Sequence, residues 1–248
     1  MAIRIALAGN PNCGKTTMFN ALTGANQYVG NWPGVTVEKK EGKLKSKKVK
    51  EEVVVTDLPG IYSLSPYTLE EVVSRDYLLK ENPDVIVDLV DATNIERNLY
   101  LTTQLIETGV PVVIALNMAD LLEKRGIKID VARLSMLLDC PIVETSALKG
   151  EGLDKLIDEA IKTAKKKEAD LPKEIFNKDL EDAVSAAAEV LPSSIDANKK
   201  RWYAVKFLEN DSKVAESVAL SGNDAKVVED NRTKIEKAED DDMESIVT

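Results

Sequence analysis

One eight-residue segment near the amino terminus constrains this chain more than any other: Gly9-Asn10-Pro11-Asn12-Cys13-Gly14-Lys15-Thr16. An apolar run, residues 2–8, precedes it, and a helix-compatible run follows it. The segment matches G-x-x-x-x-G-K-[ST] in the strand–loop–helix order in which that pattern binds phosphate; a glycine-rich turn that arose by chance is the alternative. Glycines allow backbone N–H groups to face phosphate oxygens, and the start of a helix favours anions. We therefore expect Lys15 to reach the β- and γ-phosphates and the Thr16 hydroxyl to bind Mg²⁺.

Charge and composition exclude several classes of protein. The 248 residues carry a formal net charge of −10, which argues against binding to nucleic acid or to an anionic lipid surface. Cys13 and Cys140 lie far apart and histidine is absent, so the sequence predicts neither a disulfide framework nor a thiolate metal site. No apolar run approaches the roughly 18 residues of a membrane span. We expect a soluble intracellular chain.

The sequence predicts an α/β domain over residues 1–167, with a mixed, mostly parallel sheet of six or seven strands, because short β-branched runs alternate with helical patterns. The strand candidates are residues 3–8, 53–56, 85–90, 110–116 and 142–145. Residues 36–44 precede the second candidate closely enough to favour a hairpin, so we expect one antiparallel edge strand. Asp88 lies inside an apolar strand, and two interpretations stay open: it faces the nucleotide, or it is hydrogen-bonded at the rim of the sheet.

A small all-α domain is predicted for residues 168–248, beyond a boundary at Leu171-Pro172. This part contains a single glycine, Gly222, and several runs of helical periodicity. Two apolar helix faces are predicted, the first with Leu180, Val184, Ala187 and Leu191, the second with Trp202, Val205 and Leu208.

Three short motifs close predicted strands, at the sheet edge where open α/β proteins bind ligands. Asp57-Leu58-Pro59-Gly60 offers an aspartate that can hold Mg²⁺ through water and a glycine N–H for the γ-phosphate. The Asp120 carboxylate of Asn117-Met118-Ala119-Asp120 can accept two guanine donors, N1–H and the exocyclic amine, that adenine does not offer together. In Thr145-Ser146-Ala147 a backbone N–H can meet guanine O6. Each motif alone is weak, since an aspartate after a strand is commonly a turn residue, but their joint order predicts a guanine nucleotide.

The motif set resembles the small GTPases related to translation factors, over residues 1 to about 165. The resemblance implies a P-loop GTPase fold, GTP and GDP as ligands, and Mg²⁺ held by Thr16, Thr36 and Asp57. It implies catalytic roles for Lys15, Thr36 and Gly60. We expect nucleotide contacts at Gly9, Asn10, Pro11, Asn12, Cys13, Gly14, Lys15, Thr16, Thr17, Gly34, Val35, Thr36, Asp57, Leu58, Pro59, Gly60, Asn117, Met118, Asp120, Ser146, Ala147 and Leu148.

Longer stretches resemble the ferrous iron transport protein B family. Residues 26–38 resemble its first switch loop, residues 57–64 its second switch, and residues 91–100 the segment after the next strand; residues 201–209 resemble its appended helical domain. The resemblance implies a regulatory GTPase domain at the cytoplasmic face of the cell membrane, whose partner is the Fe²⁺ permease part of the same transporter. We expect an excised cytoplasmic portion rather than a separate soluble protein. A role in iron transport is implied only by this resemblance.

Two positions bear on hydrolysis. Many GTPases place a glutamine after the D-x-x-G glycine to orient the attacking water, whereas Ile61 stands here and cannot hydrogen-bond; we expect slow turnover. For Asn12 two interpretations stay open. It is either a turn residue that tolerates unusual backbone angles or a ligand of K⁺, as in related GTPases, that brings positive charge to the phosphates.

Two other functions compete with this prediction. A free cytosolic GTPase of ribosome assembly or tRNA modification should carry a basic RNA-binding appendage, whereas residues 173–248 are acidic overall. A nucleotide-gated binding module would have negligible turnover, but Lys15, Thr16, Thr36 and Asp57 are all present, which favours slow catalysis.

Overall fold

The computed structural model describes residues 2–24, 27–46, 48–65, 67–124, 126–166 and 175–247. The chain divides into two compact units: Met1–Ile106 with Val110–Ala169, and Glu107–Gly109 with Asp170–Thr248. The predicted boundary at Leu171-Pro172 lies outside the described residues. Within those ranges, no helix combines the length and the hydropathy needed to cross a lipid bilayer.

The first unit is an α/β unit whose described residues include a seven-stranded sheet in the order β2-β3-β4-β1-β5-β6-β7. Its strands are β1 (Ile3–Gly9), β2 (Gln27–Asn31), β3 (Glu38–Lys43), β4 (Val53–Asp57), β5 (Val85–Asp91), β6 (Val112–Asn117) and β7 (Ile142–Thr145). Its α-helices are α1 (Lys15–Thr23), α2 (Leu69–Asp76), α3 (Ile95–Glu107), α4 (Ala119–Lys124), α5 (Val131–Leu138) and α6 (Leu153–Ala164). A π-helical turn, Tyr77–Glu81, continues α2, and a 3₁₀ turn, Ala92–Asn94, precedes α3.

The five predicted apolar strands are confirmed as β1, β4, β5, β6 and β7, with end shifts of at most two residues. Apolar side chains cover both faces of the sheet. Helices α2 and α3 supply Val73, Leu101 and Leu105 to the core on one face, and α1 and α6 supply Phe19 and Leu156 to the core on the other. Burial on both faces explains why the central strands β1, β5 and β6 read as continuous apolar runs.

The prediction of a single antiparallel edge strand was wrong in one respect. β3 pairs antiparallel with β4, as the hairpin predicted, but the edge strand is β2, which pairs antiparallel with β3. β3 alone therefore runs against the other strands of the sheet. β2 was not predicted because its sequence, Gln-Tyr-Val-Gly-Asn, contains a glycine and polar residues and leaves Tyr28 and Val29 exposed; an edge strand needs no buried face of its own.

The buried Asp88 on β5 is hydrogen-bonded, but its partner is on α3 in the protein interior and not at the rim of the sheet, as one of the two interpretations had it. Thr102 of α3 donates to its Oδ2 at 2.6 Å, and the side chain is almost completely buried. Burial raises the pKa of Asp88 to about 7, and the Thr102 hydrogen bond opposes part of that rise. The carboxyl group lies inside the apolar layer between the sheet and α3, so its role there is structural.

The second unit is helical in its described residues. Its helices are α7 (Lys178–Glu189), α8 (Lys200–Leu208), α9 (Ser212–Ser217), α10 (Gly222–Glu239) and α11 (Met243–Ile246). The two predicted apolar faces are buried; Leu191 is also buried but lies beyond the end of α7. Arg201 binds Glu181 through both terminal nitrogens, at 2.5 and 2.9 Å, and donates from Nε to Glu107 at 2.8 Å. A bidentate pair of this kind fixes side-chain geometry strongly.

Candidate functional site

The glycine-rich segment forms a loop between β1 and α1, as predicted. Gly14 precedes α1 with a φ of 94°, a conformation that favours glycine. A Cβ at this position would lie 2.5 Å from Nδ2 of Asn117, so close approach also requires glycine. Within the described residues, no side chain caps the start of α1. Its first N–H groups and the positive end of its dipole therefore suit an anion.

Lys15 and Asp57 meet beside this helix start. Lys15 Nζ lies 3.5 Å from Asp57 Oδ1, and both side chains are close to full burial. Oδ1 has no hydrogen-bond partner among the described residues. Burial raises the pKa of Asp57, and the Lys15 charge opposes that rise. A buried carboxylate oxygen without a hydrogen bond, next to an anion-binding loop, fits the hard-oxygen ligand that Mg²⁺ prefers.

The segment after β4 lies against the loop. Leu58 N donates to Leu7 O at 3.0 Å and Ile61 N to Gly9 O at 3.4 Å. A Cβ on Gly60 would lie 3.2 Å from Cα of Pro11, so glycine permits this approach. Ile61 is only 3% exposed and packs in the apolar core, which leaves it no part in orienting water.

Asn117 connects the glycine-rich loop to the end of β7 and the segment that follows it. Its Nδ2 donates to Cys13 O at 2.8 Å, and its Oδ1 accepts from Ala147 N at 3.0 Å and from Thr145 Oγ1 at 3.4 Å. Three predicted motifs thus converge on one buried amide. Ala147 belongs to the motif from which we expected a backbone N–H at guanine O6, and its own N–H donates to Asn117 in this structure.

Asp120 lies in the first turn of α4, after Met118, whose φ is 62°. Its Oδ2 lies 2.9 Å from Nζ of Lys149. Hydrogen bonds from Lys149 and Ser146, with the Lys149 charge, hold the pKa of Asp120 below its ordinary value, so the group is an acceptor at neutral pH. Asp120 and Ser146 line a cavity of about 450 Å³ together with Leu116 and Ile127.

The predicted first switch forms the hairpin of β2 and β3. Thr36 is exposed in the turn between these strands, as is Gly34, and Val35 is half-buried. None of the described contacts joins Thr36 to Thr16 or Asp57, so its role as a Mg²⁺ ligand stays a prediction.

Trp32 anchors that turn in the core. Its ring packs edge-on against Tyr77 at 5.3 Å between centroids, and its backbone N–H donates to Val37 O. Its indole N–H is buried without a hydrogen-bond partner among the described residues. Tyr77 in turn donates to Thr56 Oγ1 at 3.0 Å, next to Asp57. Sequence reasoning assigned Trp32 to a loop and missed this anchor; an aromatic residue inside a polar switch loop was the available signal.

The remaining predicted residues differ in environment. Asn12 is exposed with a φ of 66°, which agrees with the turn interpretation and leaves its side chain open to solvent. Asn10 is buried, and its Oδ1 has no partner among the described residues. Thr16 and Thr17 lie at the start of α1 and are both exposed, and Leu148 is 89% exposed. Lys149 was not predicted as a site residue, although it directly follows Leu148, the last of the predicted nucleotide contacts.

Comparisons with known proteins find two matching family models. The family model described as "Ferrous iron transport protein B" matches residues 3–160, and the model described as "FeoB cytosolic helical domain" matches residues 176–248. The Fe(2+) transporter FeoB of Escherichia coli strain K12 is 42% identical over 216 residues, which are 84% of this chain and 27% of the transporter. A Porphyromonas gingivalis Fe(2+) transport protein A/FeoB fusion protein is 47% identical over 221 residues, 86% of this chain and 26% of that protein.

Solved structures match over nearly all of the chain. A point mutant of S. thermophilus NFeoB bound to mGDP is 51% identical with a TM-score of 0.94, and the match covers 100% of this chain and 94% of the other. An mGMPPNP-bound NFeoB of S. thermophilus is 51% identical with a TM-score of 0.86, covering 98% and 91%. The chain spans about a quarter of the length of the curated transporters it matches. The two family models together match residues 3–160 and 176–248, and the chain belongs to the ferrous iron transport protein B family.

Proposed function

We propose that this chain binds GTP and GDP and hydrolyses GTP slowly. The observation that carries the proposal is the uncapped start of α1, which faces a buried Lys15–Asp57 pair. Backbone N–H groups and the Lys15 ammonium together supply the positive environment that a triphosphate requires. The solved relatives with mGDP and mGMPPNP carry guanine nucleotides on a similar fold, which supports the same ligand class here.

Asp120 is proposed to read the base together with the Ala147 N–H, which would share its hydrogen bond between Asn117 Oδ1 and guanine O6. The Asp120 carboxylate accepts from N1–H and the exocyclic amine of guanine, and a base without those donors leaves its oxygens unpaired. The nucleotide contacts predicted in the sequence analysis are the proposed contacts here. Asn117 would fix the distance between the residues that contact the phosphates and those that contact the base.

Mg²⁺ would be held by Thr16, Thr36 and Asp57, and when bound it supplies charge stabilisation at the phosphates. Lys15 neutralises charge on the β- and γ-phosphates, and the Gly60 N–H holds the γ-phosphate. Because Ile61 packs in the core, no side chain at that position orients water, which supports slow turnover. We further propose that Asn12 holds K⁺ beside the phosphates, where its exposed side chain is accessible.

For the whole protein, we propose a regulatory role in Fe²⁺ transport. Residues 1–167 would be the nucleotide-binding domain and residues 168–248 a helical domain, acting on a membrane permease part of the same transporter. The names of the curated relatives support this assignment. The family membership disfavours a free GTPase of ribosome assembly or tRNA modification.

Base selection gives the sharpest test. We expect Asp120→Ala to weaken GTP binding by roughly 10²-fold or more and to abolish the preference for GTP over ATP, because the guanine donors lose charged acceptors. Asp158→Ala, which removes an exposed aspartate of α6, is the matched control. Calorimetry with Mg²⁺ measures all three proteins against GDP, GTP and ATP. A wild-type chain that takes up no guanine nucleotide would refute the proposal, and a retained GTP preference in Asp120→Ala would place base recognition elsewhere.

A further inference from the structure

The Lys149 ammonium group forms an ion pair with the Asp120 carboxylate, which the proposed function assigns to guanine. Its Nζ lies 2.9 Å from Asp120 Oδ2, and the Asp120 side chain is only 15% exposed. A carboxylate that accepts two guanine donors uses one oxygen for each. One guanine donor and the Lys149 ammonium are therefore directed at the same Oδ2 atom, and the hydrogen bond to Lys149 leaves less of its negative charge for guanine.

The backbone around Lys149 holds it at that position. Ser146 and Glu151 exchange two backbone hydrogen bonds of 3.1 Å, and Lys149 N donates to Ser146 O at 3.1 Å. Gly150 completes the turn with a φ of 73°. Backbone hydrogen bonds thus close the loop of residues 146–151, which begins within the Thr145-Ser146-Ala147 motif. This loop places the Lys149 ammonium group next to Asp120.

We propose that Lys149 is an internal competitor of the guanine base and lowers the affinity of the site for GDP and GTP alike. This inference rests on the proposed function. When the nucleotide leaves, the Asp120 carboxylate keeps the Lys149 ammonium as a cationic partner in addition to Ser146, so the nucleotide-free protein is stabilised. A basic residue that instead contacted the nucleotide would raise affinity, which gives the two roles opposite signs.

The magnitude follows from the exposure of the pair. The Lys149 side chain is 43% exposed, and partly exposed ion pairs have modest strength. We expect Lys149→Met to bind GDP and GTP about two- to fivefold more tightly than the wild type. The ratio between GTP and GDP affinities should not change, because the competition concerns only the base.

Two variants isolate the charge at position 149. Lys149→Arg keeps a cation and should bind GDP like the wild type. Lys155→Met removes an exposed lysine from α6 and should also leave the affinity unchanged. Raising ionic strength should narrow the difference between Lys149→Met and the wild type, since salt screens an exposed pair.

The closing experiment is calorimetric titration of GDP into the wild type, Lys149→Met, Lys149→Arg and Lys155→Met, and into Asp120→Ala with and without Lys149→Met. Tighter binding only in Lys149→Met, lost in the Asp120→Ala background, supports the inference. Equal or weaker binding by Lys149→Met overturns it, as does a gain that persists without Asp120. Failure of the wild type to bind GDP would instead contradict the proposed function.

Discussion

The side-chain amide of Asn117 donates to the Cys13 carbonyl oxygen at 2.8 Å, which ties the end of β6 to the phosphate loop over 104 residues of sequence. The same amide accepts from Ala147 N. One buried side chain therefore sets the spacing between the groups proposed to bind phosphate and those proposed to bind the base.

We expect Asn117→Ala to lower the free energy of unfolding by about 2–3 kcal/mol and to weaken GDP binding at least about tenfold. The substitution strands a buried carbonyl and a buried N–H, each at a cost of about 1–3 kcal/mol. Urea unfolding and GDP titration measure the two effects. Asn223→Ala, at an exposed position of α10, is the control, and a stability within about 0.5 kcal/mol of wild type would contradict the role of Asn117.

Asn12 tests the proposed K⁺ site. We expect wild-type GTP hydrolysis to be faster in K⁺ than in Na⁺ at equal ionic strength, and Asn12→Ala to lose that difference, because the amide oxygen is the proposed ligand. Steady-state phosphate release measures the rates. Asn20→Ala, toward the far end of α1, should keep the difference. Equal wild-type rates in the two salts would leave Asn12 as a turn residue only.

Trp32 offers an optical report of the first switch. The chain contains two tryptophans, Trp32 and Trp202, so Trp202→Phe leaves Trp32 as the sole indole. We expect its emission to shift when a non-hydrolysable GTP analogue and Mg²⁺ are added, because drawing Thr36 to the metal displaces the ring from Tyr77. Thr36→Ala should reduce the shift. An emission spectrum that is identical with GDP and with the analogue would show that the turn stays in place.

Asp88 predicts a pH dependence of stability. Its pKa in the folded protein is about 7, above the value of about 4 in the unfolded chain. The unfolded state therefore releases this proton first, and the stability that Asp88 contributes is present below about pH 4 and is lost as pH rises through 7. Between pH 6 and 8 the loss is about 1 kcal/mol.

Asp88→Asn should remove that component, so its stability relative to wild type should rise by about 1 kcal/mol from pH 6 to pH 8. Urea unfolding of both proteins at each pH measures the difference, and Asp158→Ala again serves as the control. A constant difference across this range would mean that the Asp88 pKa is not raised.

The sequence predicted the parts of this structure that depend on local pattern. β1, β5 and β6 are buried on both faces and read directly as apolar runs, and the glycine-rich loop has a fixed spacing. β2 was missed because an edge strand such as Gln27–Asn31 shows no burial pattern. Asp88 could not be assigned because its partner, Thr102, is supplied by tertiary packing of α3. Lys149 escaped notice for the same reason, since only the closed 146–151 turn brings it to Asp120.

The β2–β3 hairpin should restrict how far Thr36 can move when a nucleotide binds. Five residue pairs join the two strands, and their connection is only six residues long, so we expect a displacement of Thr36 to be transmitted to Trp32 at the start of that connection. The Trp32 side chain is held there by packing against Tyr77, because its buried indole N–H has no hydrogen-bond partner among the described residues. Under the proposed function, we expect an aromatic contact in the protein interior, away from the phosphates, to influence how long the activated conformation persists.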